Sequence, residues 1–190
     1  MFIEIKKLSK AYNDYLAVNK INFSIERNET IGLLGPNGCG KTTTIGMMLG
    51  LITPTSGEIL IENKNINSFG RDEILKRFNF ASPYIELPKK LTVKQNLEIY
   101  GRLYGIDKLN DRINQISGDL DIKNFFNRKT GELSSGQKNR VSLAKSLINK
   151  PEILLLDEPT ASLDPDIGDF IRNYIQEYKL KNKVTILLAS

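Results

Sequence analysis

The stretch Gly35-Pro36-Asn37-Gly38-Cys39-Gly40-Lys41-Thr42 decides the fold. It fits the pattern G-x-x-x-x-G-K-[S/T], in which glycines let backbone amides approach phosphate oxygens without a Cβ in the way. An apolar strand, Thr30–Leu34, precedes the loop, and a helix-compatible run, Thr43–Leu51, follows it. The amide end of that helix would point at a bound anion. Strand, loop and helix in this order predict a phosphate-binding loop.

Individual side chains of this loop are suited to nucleotide chemistry. Lys41 would place a positive charge beside the β- and γ-phosphates, and the Thr42 hydroxyl would ligate Mg²⁺. Cys39 has two interpretations, a reactive thiolate at a helix N-terminus or an ordinary residue at a variable loop position. The residues predicted to contact nucleotide here are Gly35, Pro36, Asn37, Gly38, Cys39, Gly40, Lys41, Thr42 and Thr43.

Two carboxylates follow a second apolar strand. Ile153–Leu156 contains four apolar residues in succession, which is typical of a central parallel strand buried on both faces. Asp157 and Glu158 come next, and ligands of open α/β sheets gather at this edge. Asp157 is suited to hold Mg²⁺, and Glu158 can polarise a water for attack on the γ-phosphate. Lys41 and Glu158 are therefore the predicted catalytic residues.

A second glycine-containing turn lies at Leu133-Ser134-Ser135-Gly136-Gln137. An apolar face of the helix that follows is formed by Val141, Ala144, Leu147 and Ile148, and we expect this helix to extend to about Asn149. Ser134 or Ser135 can cap it, and Gly136 allows close backbone approach. The turn is thus a second candidate anion-binding helix start, although its spacing alone favours an ordinary helix cap.

Strands alternate with helices along the chain, which predicts a βαβ architecture with a parallel sheet. A helical middle near residues 90–145 interrupts the alternation, with one amphipathic helix opened by Thr92 as N-cap. Further strands are predicted at 2–8, 21–25, 58–62 and 183–189, and further helices at 111–120 and around 167–178.

Composition excludes several classes of chemistry. The chain has 190 residues, no His and a single Cys, so that Ser-His-Asp triads, Cys-His pairs, His-ligated zinc and internal disulfides are ruled out. The net charge of +5 fits either a solvated surface or an anionic partner. The apolar runs are strand-length and the N-terminus lacks the apolar stretch of a secretory signal, which favours a cytoplasmic location.

In this order, the motifs resemble those of the nucleotide-binding domains of ABC transporters. LSSGQ (Leu133–Gln137) is similar to the family's LSGGQ motif, and Ile153–Asp157 to its Walker B strand. Glu158 matches the adjoining glutamate, and Ser162-Leu163-Asp164 matches the D-loop. Fifteen residues separate LSSGQ from ILLLDE, and the resemblance covers essentially the whole chain.

The resemblance implies an α/β fold, a P-loop NTPase core with a mainly parallel sheet, an N-terminal antiparallel β subdomain and an inserted helical subdomain. Residues 1–190 would form a single ABC-type ATPase domain, with the core at about 1–82 and 146–190 and the helical subdomain at about 83–145. Tyr12 matches the aromatic residue that stacks on adenine.

The same resemblance implies partners. Two ATPase subunits would form a head-to-tail homo- or heterodimer around Mg·ATP, with Ser134, Ser135, Gly136 and Gln137 of one subunit meeting the nucleotide on the other. A separate transmembrane permease would place the chain peripherally at the inner face of the membrane. The stretch Leu133–Lys145 resembles exporters of the ABC-2 type. No nucleic acid partner is expected.

The sequence departs from the family pattern at two points. The position where the family has a Gln before the helical subdomain falls on Pro83, leaving Ser82 and Glu86 as candidate substitutes. The His that follows the family's last strand is missing, since the chain ends at Ser190 without a His, so that we expect a C-terminally truncated domain.

Two alternative functions remain open at this point. One is a soluble ABC ATPase acting on ribosomes or nucleic acid. The other is an ATP-binding regulatory module without turnover.

Overall fold

Two four-stranded sheets form the framework of the computed structural model, which describes residues 1–68, 70–83, 85–161 and 163–190. The strands in chain order are β1 (Ile3–Tyr12), β2 (Tyr15–Ile25), β3 (Thr30–Leu33), β4 (Ser56–Ile61), β5 (Lys64–Asn65), β6 (Phe78–Ala81), β7 (Ile153–Asp157) and β8 (Thr185–Ala189). One sheet is antiparallel with the order β2-β1-β4-β5, and the other is parallel with the order β3-β8-β7-β6. The predicted fold class is confirmed.

The helices lie mostly in the second half of the chain. They are α1 (Lys41–Met48), α2 (Arg71–Leu75), α3 (Val93–Leu103), α4 (Leu109–Asp119), α5 (Ser135–Ser146) and α6 (Pro165–Asn182), with short 3₁₀ turns at Lys123–Phe125 and Thr130–Glu132. No helix within the described part of the chain combines the length and apolarity that crossing a membrane requires.

Strand β7 divides the hydrophobic interior. All five of its residues are buried, as the apolar run predicted. Because side chains alternate between the two faces of a strand, Ile153 and Leu155 join a cluster with β1, β4 and α1, while Leu154 and Leu156 join a cluster with α3, α4, α5 and α6. The strand is paired on both sides, with β6 and β8, so that its carboxyl end is held at a fixed position.

Side-chain caps define the starts of two helices. Thr92 caps α3 as predicted, and the Gln95 side chain bonds back to the Thr92 amide. Ser134, rather than Ser135, caps α5, and Gln137 completes the same reciprocal pattern. Each capping box satisfies two backbone amides that the helix itself leaves without partners.

Helix α5 ends earlier than its apolar pattern predicted. The last helical residue is Ser146, whereas the sequence pointed to about Asn149. The Asn149 side chain instead donates to the carbonyl oxygens of Lys76 and Phe78, at 3.1 and 3.2 Å. These bonds to the end of α2 and to β6, a strand that the sequence did not reveal, take the place of the final helical turn.

Candidate functional site

The glycine-rich loop connects β3 to α1, and two of its glycines need conformations that other residues rarely adopt. Gly38 has φ of +83° and Gly40 has φ of +95°. A Cβ on Gly40 would lie 2.3 Å from the carbonyl oxygen of Ala17 and 2.9 Å from Cγ2 of Val18. The loop therefore packs directly on β2, and glycine at position 40 is required both by backbone angle and by space.

Lys41 is the first residue of α1, and its ammonium lies inside the loop. The residue is only 8% exposed. Its Nζ donates to the carbonyl oxygens of Gly35 and, at 3.2 Å, Pro36. A positive charge is thus concentrated at a helix N-terminus, where the helix dipole already favours anions.

A hydrogen bond joins the start of α1 to the end of β7. The Thr42 hydroxyl donates to Oδ2 of Asp157 over 3.0 Å, although the two residues are 115 positions apart in the chain. Asp157 is 3% exposed. A hydroxyl and a carboxylate oxygen side by side are hard donors of the kind that Mg²⁺ prefers, with phosphate oxygens and waters filling its other positions. The pair therefore fits a magnesium ion.

Glu158 follows in a left-handed backbone conformation. Its φ is +49°, which costs a non-glycine residue free energy and persists where the surroundings fix it. Its amide donates to the Ala189 carbonyl over 2.9 Å, and its own carbonyl accepts from the Ala161 amide over 3.0 Å. The residue borders the same cavity as the loop.

A cavity of about 260 Å³ brings half of the predicted nucleotide-binding residues together. Its described lining consists of Tyr12, Tyr15, Ala17, Asn37, Gly38, Gly40, Lys41, Thr42, Thr43 and Glu158. Asp157 adjoins it through Thr42. Gly35, Pro36 and Cys39 belong to the loop but are not among the described residues of the lining, and the Cys39 side chain is exposed.

Two tyrosines stand at one side of this cavity. Tyr12 was predicted, is 44% exposed, and has the Lys10 ammonium 5.0 Å from its ring centroid. Tyr15 was not predicted, and its hydroxyl donates to the Gly38 carbonyl over 3.0 Å. A sequence signal for Tyr15 existed, because Asn13-Asp14 is a two-residue hairpin turn that places it opposite Tyr12.

The second candidate anion site lies elsewhere in the chain. Ser134 and Ser135 are exposed, Gln137 is half-buried, and none of these, nor Gly136, is among the described residues lining the phosphate-loop cavity. Gly136 is buried, and a Cβ there would lie 2.7 Å from Cδ1 of Ile167. Ser135 instead borders a separate cavity of about 340 Å³.

The candidate substitutes for the family Gln also border that separate cavity. Ser82, Pro83 and Glu86 line it, and none of them is a described lining residue of the phosphate-loop cavity. Glu86 is exposed and lies 2.6 Å from the Lys89 ammonium, which lowers the pKa of its carboxyl group. Leu163 of the predicted D-loop lines the cavity too, whereas Ser162 lies outside the described residues.

Comparison with known proteins gives one consistent family. A family model described as "ABC transporter" matches residues 18–161. The chain is 39% identical over 165 residues to the probable multidrug ABC transporter ATP-binding protein YbhF of Escherichia coli (strain K12), covering 86% of this chain and 28% of that protein. It is 34% identical over 190 residues to the Nod factor export ATP-binding protein I of Burkholderia lata, covering 99% of this chain and 62% of that protein.

Solved structures agree with this similarity. The dimeric structure of MJ0796, described as a bacterial ABC transporter cassette, superposes with a TM-score of 0.89 at 28% identity, covering 99% of this chain and 87% of that chain. CbiO1 from Clostridium perfringens, described as part of the ABC transporter complex cbiONQ, superposes with a TM-score of 0.81 at 31% identity, covering 100% of this chain and 78% of that chain. The chain spans less than two thirds of the length of the curated relatives named above.

The close packing of Gly40 on β2 yields a stability prediction. Gly40→Ala should lower the free energy of unfolding by about 1–3 kcal/mol more than Gly70→Ala does. Both glycines precede a helix with similar positive φ, +95° and +87°, but a Cβ on Gly70 meets no atom of the described residues within 4 Å. Urea denaturation of the two variants measures the difference, and equal losses would show that β2 does not confine the loop.

Proposed function

Because the chain belongs to the ABC transporter family, we propose that it binds and hydrolyses ATP and thereby energises a separate membrane-spanning partner. The observation that carries this proposal is the hydrogen bond between Thr42 and Asp157. It joins the phosphate loop to the acidic end of β7, with Lys41 and Glu158 on the cavity that results. A charged phosphate group and an attacking water would meet in this cavity.

Binding of the phosphates would rest on the loop amides and on Lys41. The amides at the start of α1 point toward an anion, and the Lys41 ammonium would exchange its carbonyl acceptors, Gly35 and Pro36, for phosphate oxygens. The Lys41 bonds to these carbonyls are already charge-assisted, but a phosphate oxygen carries a full negative charge, so that the attraction between opposite charges favours this exchange. The Lys41 charge would also stabilise the negative charge on the phosphoryl group during transfer.

Thr42 and Asp157 would hold the magnesium ion through the Thr42 hydroxyl and the Asp157 carboxylate. When bound, Mg²⁺ supplies positive charge that neutralises the phosphate oxygens. The protein contributes only these two oxygens, which suits an ion that keeps waters and phosphate oxygens in its shell.

Glu158 would act on the attacking water. Its carboxylate would orient the water and accept its proton, which increases nucleophilicity toward the γ-phosphate. Two backbone hydrogen bonds hold Glu158 in its left-handed conformation. They keep the Cα of Glu158 in place, so that its side chain extends from the edge of the cavity. Positioning and charge stabilisation would carry most of the catalysis.

The base and ribose would lie toward the two tyrosines. Tyr12 would stack on adenine, as its exposed position beside the loop permits. Tyr15 would support the loop rather than the base, because its hydroxyl is already bonded to Gly38. This assigns different tasks to two aromatic residues that face each other across one hairpin.

A dimer would complete each nucleotide site. Ser134, Ser135, Gly136 and Gln137 begin a 12-residue helix, yet they lie apart from the phosphate-loop cavity of their own chain. We therefore assign them to the nucleotide held by a second ATPase subunit. Related cassettes described as dimeric support this arrangement, among them one described as bound to ADP and Pi after hydrolysis, which is 27% identical to this chain.

The proposed partner is a transmembrane permease, with the chain peripheral at the cytoplasmic face of the membrane. The names of two relatives, one a probable multidrug transporter component and one a Nod factor export protein, favour an exporter. In this assembly residues 1–190 act as one ABC-type ATPase domain. The helical subdomain, about 83–145, is inserted between core segments at about 1–82 and 146–190.

Removing the Lys41 charge tests phosphate binding. Lys41→Ala should weaken ATP affinity by about 10- to 100-fold, because a charge-assisted hydrogen bond contributes about 1.5–3 kcal/mol. Lys64→Ala, at an exposed position of the short strand β5, is the control and should leave affinity unchanged. Equilibrium binding of a fluorescent ATP analogue measures both, and equal affinity in the two variants would contradict the assignment of the loop.

Replacing the Glu158 carboxylate tests catalysis separately from binding. Glu158→Gln should bind ATP as the parent does, collect in an ATP-bound dimer, and release phosphate at least about 100-fold more slowly, because an amide cannot accept the proton. The control is Glu152→Gln. Glu152 lies just before the first residue of β7, at the end of the strand opposite Glu158, and its carboxylate pairs with Arg77. Phosphate release and light scattering give the two readouts, and turnover at the parent rate would remove Glu158 from the mechanism.

A further inference from the structure

Asn139 forms a hydrogen bond that neither phosphate binding nor magnesium binding uses. It lies in the second turn of α5, is 8% exposed, and donates from Nδ2 to the Pro159 carbonyl over 2.7 Å. Pro159 follows Glu158 directly in the chain. The bond therefore connects the helix that starts at the LSSGQ motif to the segment that carries the proposed catalytic carboxylate.

The segment after β7 is held from two sides. On one side, the Glu158 amide donates to the carbonyl of Ala189 in β8, and the Ala161 amide donates to the Glu158 carbonyl across a turn. On the other side, Asn139 holds the carbonyl of Pro159. Because Glu158 occupies a strained left-handed conformation, the anchors on both of its sides decide where its carboxylate lies.

A second contact reinforces the connection to α5. Gly136, one turn before Asn139, leaves no room for a Cβ against Ile167, which lies in the first turn of α6. The residues that follow Glu158 are thus in contact with two successive turns of α5. A displacement of the start of this helix would therefore be transmitted to Pro159 and Ile167.

We propose that Asn139 is a positioning residue that couples the two nucleotide sites of the dimer. This rests on the proposed function, in which Ser134–Gln137 contact the nucleotide held by the other subunit. Nucleotide at that site fixes the start of α5, Asn139 carries the constraint to Pro159, and Glu158 is thereby set for the nucleotide in its own subunit. Occupancy of one site would then favour hydrolysis at the other.

Cooperativity distinguishes this role from a merely structural one. In Asn139→Asp the carboxylate cannot donate to the Pro159 carbonyl and repels it, although the side chain keeps its size. We expect kcat to fall about tenfold and the Hill coefficient for ATP hydrolysis to drop toward one, while monomeric ATP affinity stays at the parent value. Asn139→Gln, which keeps the amide donor, should recover part of the kcat and part of the Hill coefficient.

Asn96→Asp is the matched control. Asn96 is also a buried asparagine, and its Nδ2 donates to the backbone carbonyls of Thr92 at 3.0 Å, Pro88 at 3.3 Å and Leu91 at 3.4 Å. It lies in α3 and is not among the described lining residues of the two cavities above. The Asn96→Asp variant reports how much stability is lost when a carboxylate replaces an amide donor beside backbone carbonyls in a buried position. Thermal unfolding of both variants separates that cost from loss of coupling, and Asn139→Ala replaces Asn139→Asp if the latter does not fold.

Each outcome decides the proposal. If Asn139→Asp retains the kcat and Hill coefficient of Asn96→Asp in an actively hydrolysing protein, the coupling role is overturned and the proposed function stands. If the parent binds ATP without hydrolysing it, both are overturned. A loss of cooperativity confined to the Asn139 variants, with partial recovery in Asn139→Gln, supports the coupling.

Discussion

The hydrogen bond between Thr42 and Asp157 is the contact on which the proposed nucleotide site depends. It requires α1 to begin beside the carboxyl end of β7, and this in turn requires β3 and β7 to lie on either side of β8 in one parallel sheet. The two residues are separated by 115 positions, so that segments from both halves of the chain must come together for the bond to form. The proposed magnesium site is therefore a product of the complete sheet rather than of the loop alone.

Burial of β7 explains why this edge of the sheet can serve as a rigid support. Its side chains enter two hydrophobic clusters, and its backbone is paired on both sides. A strand held in this way leaves the residues at its end little freedom to move, and catalytic groups need such fixed positions. The segment after the strand, which carries Glu158, is also hydrogen-bonded to β8 on one side and to α5 on the other.

Local signals in the sequence were sufficient for much of the fold and the site. The glycine-rich loop, the apolar run before Asp157 and the cap at Ser134 each depend on neighbouring residues, and all three lie where they were predicted. Contacts between distant segments left no such signal. The bond from Asn139 to Pro159 spans 20 positions, and the Asn149 side chain that shortens α5 bonds to a strand about 70 positions away. Neither follows from periodicity or from a motif.

The central claim is that the phosphate loop and the end of β7 act as one ATP-hydrolysing site, and a double-mutant cycle tests it most directly. Phosphate release would be measured with saturating Mg²⁺ for Thr42→Val, for Asp157→Asn and for the double variant. Our account predicts strong non-additivity, with the double variant no slower than the slower single variant, because both substitutions disable the same ion site. Independent effects that simply add in free energy would contradict a shared site.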